Sequence, residues 1–246
     1  MSSYPGGGYE GRPQFRFGGP LTPVVKGFMI ACAAVFAVQF FWRGWGGGGD
    51  FDRLFGLYTP WFWRGAFFQL LTFHFLHGSI WHLAFNMLTM WMFAGELEQL
   101  WGAKKFVIYL FVVGLGAGAC QLLSAPFLDV PVIGASGIVY GILLAFGMTY
   151  PNRVVLLYFL IPLKVKWLVI GMGVIEFSMA FDPSGPMKIA HFAHLGGMLF
   201  GFLFLRWDGL FLRLRGAYYR RKLERQRKKR KIYVVRGDGD EPPFVH

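Results

Sequence analysis

The sequence predicts an all-α, polytopic membrane protein built as a bundle of six transmembrane helices, and three observations predict it. Hydrophobic residues are 55% of the 246 and aromatics 19%, whereas Asp, Glu, Lys and Arg together reach only 15%, at a mean hydropathy of +0.44. A soluble domain carries about a quarter of its residues charged to face water, and this chain has too few to cover its surface that way. Apolar runs recur along the chain at lengths close to the ~20 residues a helix needs to cross a hydrocarbon core. They follow one another too closely to leave room for a second globular core.

Residues 1–20, rich in Gly and Pro with Arg12 and Arg16, read as a flexible leader too polar to pack. Residues 23–42 form the first span, longer than the apolar region of a signal peptide and expected to stay uncleaved. Residues 43–78 are a long connection with glycines at 46–49, acids at Asp50 and Asp52, and aromatics from Phe51 to Phe68 at a density that suits the water–lipid interface. Further apolar runs at about 80–97, 106–123, 136–150, 167–181 and 189–206 complete the six helices. Residues 153–166 hold a β-branched and aromatic run that is too short to span and is interrupted by Pro162, so a loop is expected there. The membrane domain is then 21–207, followed by a basic tail over 208–246.

Lys104, Lys105, Arg153, Lys164, Lys166 and the tail fall on one side, and Arg43, Arg53, Arg64 and Lys188 on the other. The richer side belongs in the cytoplasm, which puts both termini inside and runs the second, fourth and sixth helices inward from the outer face. Cys32 and Cys120 lie in apolar runs and read as small buried hydrophobes, implying neither a disulfide nor a metal.

Polar side chains inside these helices are costly in hydrocarbon, so each is a candidate for function. His82 and Asn86 lie near the start of the second helix, Ser136 opens the fourth, and His194 lies a few residues into the sixth. All three helices run inward, so the four residues share a shallow depth under the outer surface. His82 and Asn86 are one turn apart, as are Ser136 and Tyr140, so each pair shares a helix face. Gly197 and Gly201 follow His194 near its own face, and Gly137 and Gly141 lie beside Ser136. Two glycine-lined helices approach closely enough for a hydroxyl and an imidazole to meet at about 2.6–3.2 Å. A serine hydroxyl becomes a useful nucleophile once an imidazole takes its proton, and the oxyanion formed by attack on an amide needs donors. His82, Asn86 and the backbone N–H of Ser136 at its helix start are such donors.

Each feature has a plainer reading. Serine among small residues, as in G-A-S-G, is common at helix-packing contacts in membranes, and the motif is not a G-x-S-x-G elbow because Ile138 stands where the second glycine would be. His191 and His194 are at metal-ligand spacing, but no third ligand is placed to join them, so no metal is expected. Glu176 is the nearest competitor for a third catalytic member; counted nine residues into the fifth helix it lies deeper, and a Ser–His dyad is expected. His74 and His77 read as interface histidines, and Tyr140 as an aromatic packed on the imidazole.

Taken jointly, H-L-A-F-N at 82–86, A-G-E-L-E-Q-L-W-G at 94–102, G-A-S-G at 134–137 and A-H-L-G-G-M-L-F-G at 193–201 are specific. With them the chain resembles the rhomboid family of intramembrane serine proteases in its basic six-helix form, over about residues 23–206. The resemblance implies Ser136 as nucleophile, His194 as base and His82 with Asn86 as oxyanion donors. It further implies that Gly134, Gly137, Gly197, Gly201 and Tyr140 support the site, and that Glu98 braces the cytoplasmic end. It selects His194 over His191 by the pattern H-x-x-G-x-x-x-G. One departure is that Gln69 stands where many members carry a loop arginine, with Trp63 and Arg64 nearby out of register.

The function implied is cleavage of transmembrane protein substrates, without cofactor, in a bacterial inner membrane, from a site open toward the outer face. The rivals are an inactive relative that binds membrane clients, which would typically lack Ser or His, and a proton-relay transporter, for which no internal repeat is visible. Of the 25 basic residues, 13 fall between Arg206 and Arg236. Anionic lipid at the inner leaflet is a sufficient partner for them, at about 1 kcal/mol per charge, and nucleic acid is not expected.

Overall fold

A computed structural model of the chain describes residues 18–46, 50–157, 160–181 and 190–229. Residues 1–17, Lys188, Ile189 and the tail from 230 onward lie outside the described residues, and so does most of what was expected of the leader and tail. The described chain is mostly helical and divides into two compact units, Met1–Phe204 and Leu205–His246.

In the first unit, α1 (Pro23–Gly44) starts with proline at its first position, where the missing N–H costs nothing. At 22 residues, roughly 33 Å, it is long enough to cross a bilayer core. The connection after it folds as short helices α2 (Asp50–Phe55), α3 (Thr59–Phe62) and α4 (Gln69–Thr72), followed by a 3₁₀ turn at Phe73–Phe75. Leu57, Phe62 and Phe73 from this segment pack with Leu122 and Val132, and Leu57 pairs in a two-residue bridge with Val132.

The second apolar run is one helical stretch in three parts: α5 (Ile80–Thr89), a π turn at Met90–Ala94, and α6 (Gly95–Trp101). Ser79 caps it by accepting from the His82 backbone N–H at 3.1 Å. Gly102, at φ +79°, makes the corner into α7 (Ala103–Ser124), a second helix of 22 residues that is apolar enough to span. Then come α8 (Ser136–Thr149), apolar over 14 residues, α9 (Val165–Ala180) and α10 (His191–Lys229). By length and hydropathy, α1 and α7 are the two described helices that meet the criterion for a span.

Two expectations need correction. Residues 153–166 are not simply a loop: Val154–Leu157 (β1) pairs antiparallel with Ile161–Lys164 (β2), Val154 opposite Lys164 and Leu157 opposite Ile161. The β-branched run favours extended backbone, and Pro162 is tolerated because both strands of a two-stranded ribbon are edges. The sixth helix does not stop near residue 206 but runs on to Lys229, since the Lys, Arg, Glu and Gln that follow are good helix formers.

At one end of the bundle, Glu98 is buried and accepts from the Thr22 hydroxyl and from the backbone N–H groups of Val24 and Val25, both at 3.1 Å. A carboxylate on the unpaired donors of a helix N-terminus is favourable on both hydrogen-bonding and dipole grounds, so α6 holds the start of α1. Nearby, Arg153 donates to Glu96 at 2.6 Å and lies over the Tyr150 ring at 4.5 Å, which ties the base of the hairpin to α6.

Candidate functional site

The site lies at the other end of these helices. Gly134 has φ +127°, a backbone conformation that side chains avoid, and a Cβ there would also lie 2.7 Å from the His82 ring. Only glycine lets the chain turn here and deliver Ser136 as the first residue of α8. His194 is one turn into α10, and its Nε2 is 2.7 Å from the Ser136 hydroxyl oxygen.

That distance depends on backbone contact between α8 and α10. A Cβ on Gly197 would lie 1.9 Å from the Gly137 carbonyl oxygen, one on Gly141 3.0 Å from the Gly197 carbonyl oxygen, and one on Gly137 3.2 Å from that of Ala193. Gly201 sits against Gly141 and the Tyr109 hydroxyl, which donates to the Gly141 carbonyl at 2.6 Å. Below Ser136, the Tyr140 ring stacks on His194, with centroids 4.3 Å apart and planes 11° from parallel.

Glu176 lies beside His194 and not deeper than it. Its Oε2 lies 2.9 Å from His194 Nδ1 and 2.6 Å from His191 Nδ1, and its Oε1 accepts from the Tyr140 hydroxyl. The fifth helix runs opposite to its neighbours, so depth has to be counted back from its far end. Glu176 is four residues before Ala180, roughly 6 Å, and His194 three residues after His191, roughly 4.5 Å, so the two meet. The contact to His194 is close but out of line with the ring N–H, which leaves Nδ1 buried without a directed hydrogen bond. The third ligand-type group missing beside His191 and His194 is thus supplied, and the three donor atoms lie within 4.8 Å of one another.

His82 is half-buried against Gly134, two residues before Ser136. Its Nδ1 accepts from the Gly78 N–H at 3.4 Å, which leaves the proton on Nε2, and a Cβ on Gly134 would lie 2.7 Å from that nitrogen and 3.7 Å from the Ser136 hydroxyl oxygen. Asn86 is buried one turn below, and its amide donates to the His82 carbonyl at 3.0 Å. His82 and Ser136 thus lie on either side of Gly134, whereas Asn86 spends one of its donors on its own helix.

His74 and His77 are buried beneath the connecting segment, and burial pushes them down to about 3 and about 4, so both are neutral at neutral pH. The His77 ring packs on His82 with centroids 5.0 Å apart, and its backbone N–H donates to Gln39 at 3.0 Å. Gln69, out of the arginine pattern, is fully buried: it accepts from the Tyr58 N–H at 3.1 Å and donates to the carbonyls of Arg53 at 2.9 Å and Leu54 at 3.1 Å. Sequence gave no sign of that anchoring role, because it depends on which carbonyls the segment folds toward it.

A family model described as the Rhomboid domain matches residues 64–208. The chain is similar, at 35% identity over 138 residues, to the rhomboid protease GlpG of Yersinia enterocolitica, covering 54% of this chain and 45% of that protein. It is 34% identical over 138 residues to the GlpG of Serratia proteamaculans, with the same coverage of 54% and 45%. To the mitochondrial Rhomboid protein 1 of Saccharomyces cerevisiae it is 30% identical over 161 residues, covering 63% of this chain and 43% of that protein. The chain thus spans less than half the length of the relatives it matches. With a domain match over more than half of its own residues, the chain belongs to the rhomboid family.

Proposed function

We propose that this chain is an intramembrane serine endopeptidase that cleaves transmembrane segments of membrane proteins, with Ser136 as nucleophile and His194 as base. The 2.7 Å approach of Ser136 Oγ to His194 Nε2, between helices held together by glycine, is the observation that carries this function. Attack of Oγ on a peptide carbonyl passes its proton to Nε2, and collapse of the tetrahedral intermediate returns that proton to the leaving amine. A water molecule, deprotonated by the same nitrogen, then releases the acyl group. His82 through Nε2, Asn86 through its remaining amide donor and the Ser136 backbone N–H face the developing oxyanion. Glu176 adds a positioning group on the far side of His194, so the pair is extended to Ser–His–Glu. None of these steps calls for a metal, nucleotide or organic cofactor.

The same proposal assigns 21–207 to a six-span protease domain, 1–20 to a leader and 208–246 to a basic cytoplasmic tail on anionic lipid. The protein then sits in a bacterial inner membrane, with both termini inside and the site open toward the outer face. Purified protein in detergent is expected to cut a labelled single-span substrate near its outer end, and a fluorophosphonate is expected to label Ser136. Both are lost in Ser136→Ala, and cutting persists in EDTA. Substrate that is bound but never cut would instead favour an inactive, client-binding relative.

A further inference from the structure

Among the described residues, Glu176, His191 and His194 form a group whose ligand-type atoms converge within 4.8 Å. We propose that these three residues bind a zinc ion, and that the bound ion switches the serine–histidine pair off. Inhibition presupposes the chemistry proposed above for Ser136 and His194, whereas binding does not.

Two imidazoles and a carboxylate are a donor set zinc accepts, with a fourth position left for water. Zinc–ligand bonds of about 2.0–2.2 Å put tetrahedral donors roughly 3.3 Å apart. Glu176 Oε2 is now 2.6 Å from His191 Nδ1 and 2.9 Å from His194 Nδ1, and all three donor atoms lie within 4.8 Å of one another, so the carboxylate withdraws by roughly half an ångström and the two imidazoles close toward each other to admit the ion. The His194 nitrogen is buried with no directed hydrogen bond, so an ion bound there replaces its 2.9 Å contact with Glu176 Oε2 and displaces no other partner. The Tyr140 hydroxyl holds the other carboxylate oxygen and keeps Oε2 turned toward both rings, an outer-shell contact of the kind that orients metal ligands. The side chains of His191 and His194 keep 17% and 14% of their exposure, which leaves an approach for the ion.

The consequence follows from proton counting. A neutral imidazole has one proton for two ring nitrogens. When zinc takes the lone pair of His194 Nδ1, that proton resides on Nε2, the nitrogen that faces Ser136. Nε2 then donates to the serine hydroxyl and has no lone pair with which to accept its proton. The nucleophile stays in place, and its base is disabled.

The test uses the full chain, purified in detergent without an affinity tag, titrated with zinc chloride by calorimetry, with cobalt as a substitute whose visible absorption reports its ligands. One ion per chain is expected in wild type and in Ser136→Ala, with affinity at least about tenfold lower in His191→Ala, His191→Gln and Glu176→Gln. Zinc is expected to suppress fluorophosphonate labelling of Ser136, and EDTA to restore it. His191→Ala, compared with its own metal-free rate, needs at least about tenfold more zinc for the same suppression. No stoichiometric binding, or binding unchanged in all three ligand variants, overturns the site; site-dependent binding that leaves labelling intact overturns the switch. If zinc binds at these ligands but no preparation cuts substrate or takes the label, the protease function fails and the metal site stands.

Discussion

At the scale of single residues, the imidazole of His194 is held on three sides: Ser136 at Nε2, the Tyr140 ring on its face, and Glu176 beside Nδ1. In the reaction proposed above, a carboxylate there favours the Nδ1–H tautomer and stabilises the imidazolium that would form as serine gives up its proton. Glu176→Gln is therefore expected to lower kcat by roughly tenfold or more with KM little changed, and Glu176→Asp to recover part of the loss. A purely structural role would lower the melting temperature of both variants and leave kcat of the folded fraction intact. Asn86 is tested in the same way, because its amide already serves the His82 carbonyl. If it stabilises the oxyanion, Asn86→Ala folds normally and loses about 10²–10³ in kcat. A variant that melts early but turns over normally would make Asn86 a tie within its helix.

At the scale of elements, the contact of α8 with α10 sets whether serine and histidine meet. Gly197→Ala puts a methyl group into the Gly137 carbonyl, backbone against backbone, where no side chain is free to yield. It is expected to cost about 1–3 kcal/mol and to reduce activity beyond the loss of fold, measured as melting temperature and kcat. Gly171→Ala in α9, whose Cβ meets nothing within 4 Å, is the control expected to be tolerated. This contact was legible in the sequence because small residues at a spacing of four define a helix face whatever surrounds it. The approach of Ser136 to His194 was legible too, since it needs only helix direction and rise. Glu176 was misplaced because its helix runs the other way and depth was counted from the wrong end. The hairpin at β1 and β2 was missed because each strand is four residues long, too short for a two-residue period to stand out from a loop. A brace at Glu98 was implied by the resemblance, but its partner at the start of α1 and the role of Gln69 lie in contacts 11 to 76 positions apart, which no local pattern encodes.

At the scale of the whole molecule, the distribution of basic residues carries the proposed orientation. In right-side-out membrane vesicles, added trypsin is expected to leave the Lys- and Arg-rich segment from Arg213 to Arg236 intact, and in inverted vesicles to cut it; the opposite pattern would invert the topology. The bundle also has to satisfy two unlike demands along one helix. The part bearing His82 and Asn86 packs on α1 and α8, whereas the part bearing Glu98 packs on α1 and α7. Between them sits the π turn at Met90–Ala94, where one more residue is wound into the turn than an α-helix holds. Each residue of an α-helix advances the azimuth by about 100°, so the wider turn offsets the phase of α6 from that of α5. It acts as a fixed angular coupling: beyond their shared neighbour α1, the half bearing His82 is indexed to α8 and the half bearing Glu98 to α7, and a one-residue deletion there would misalign one of them without touching either.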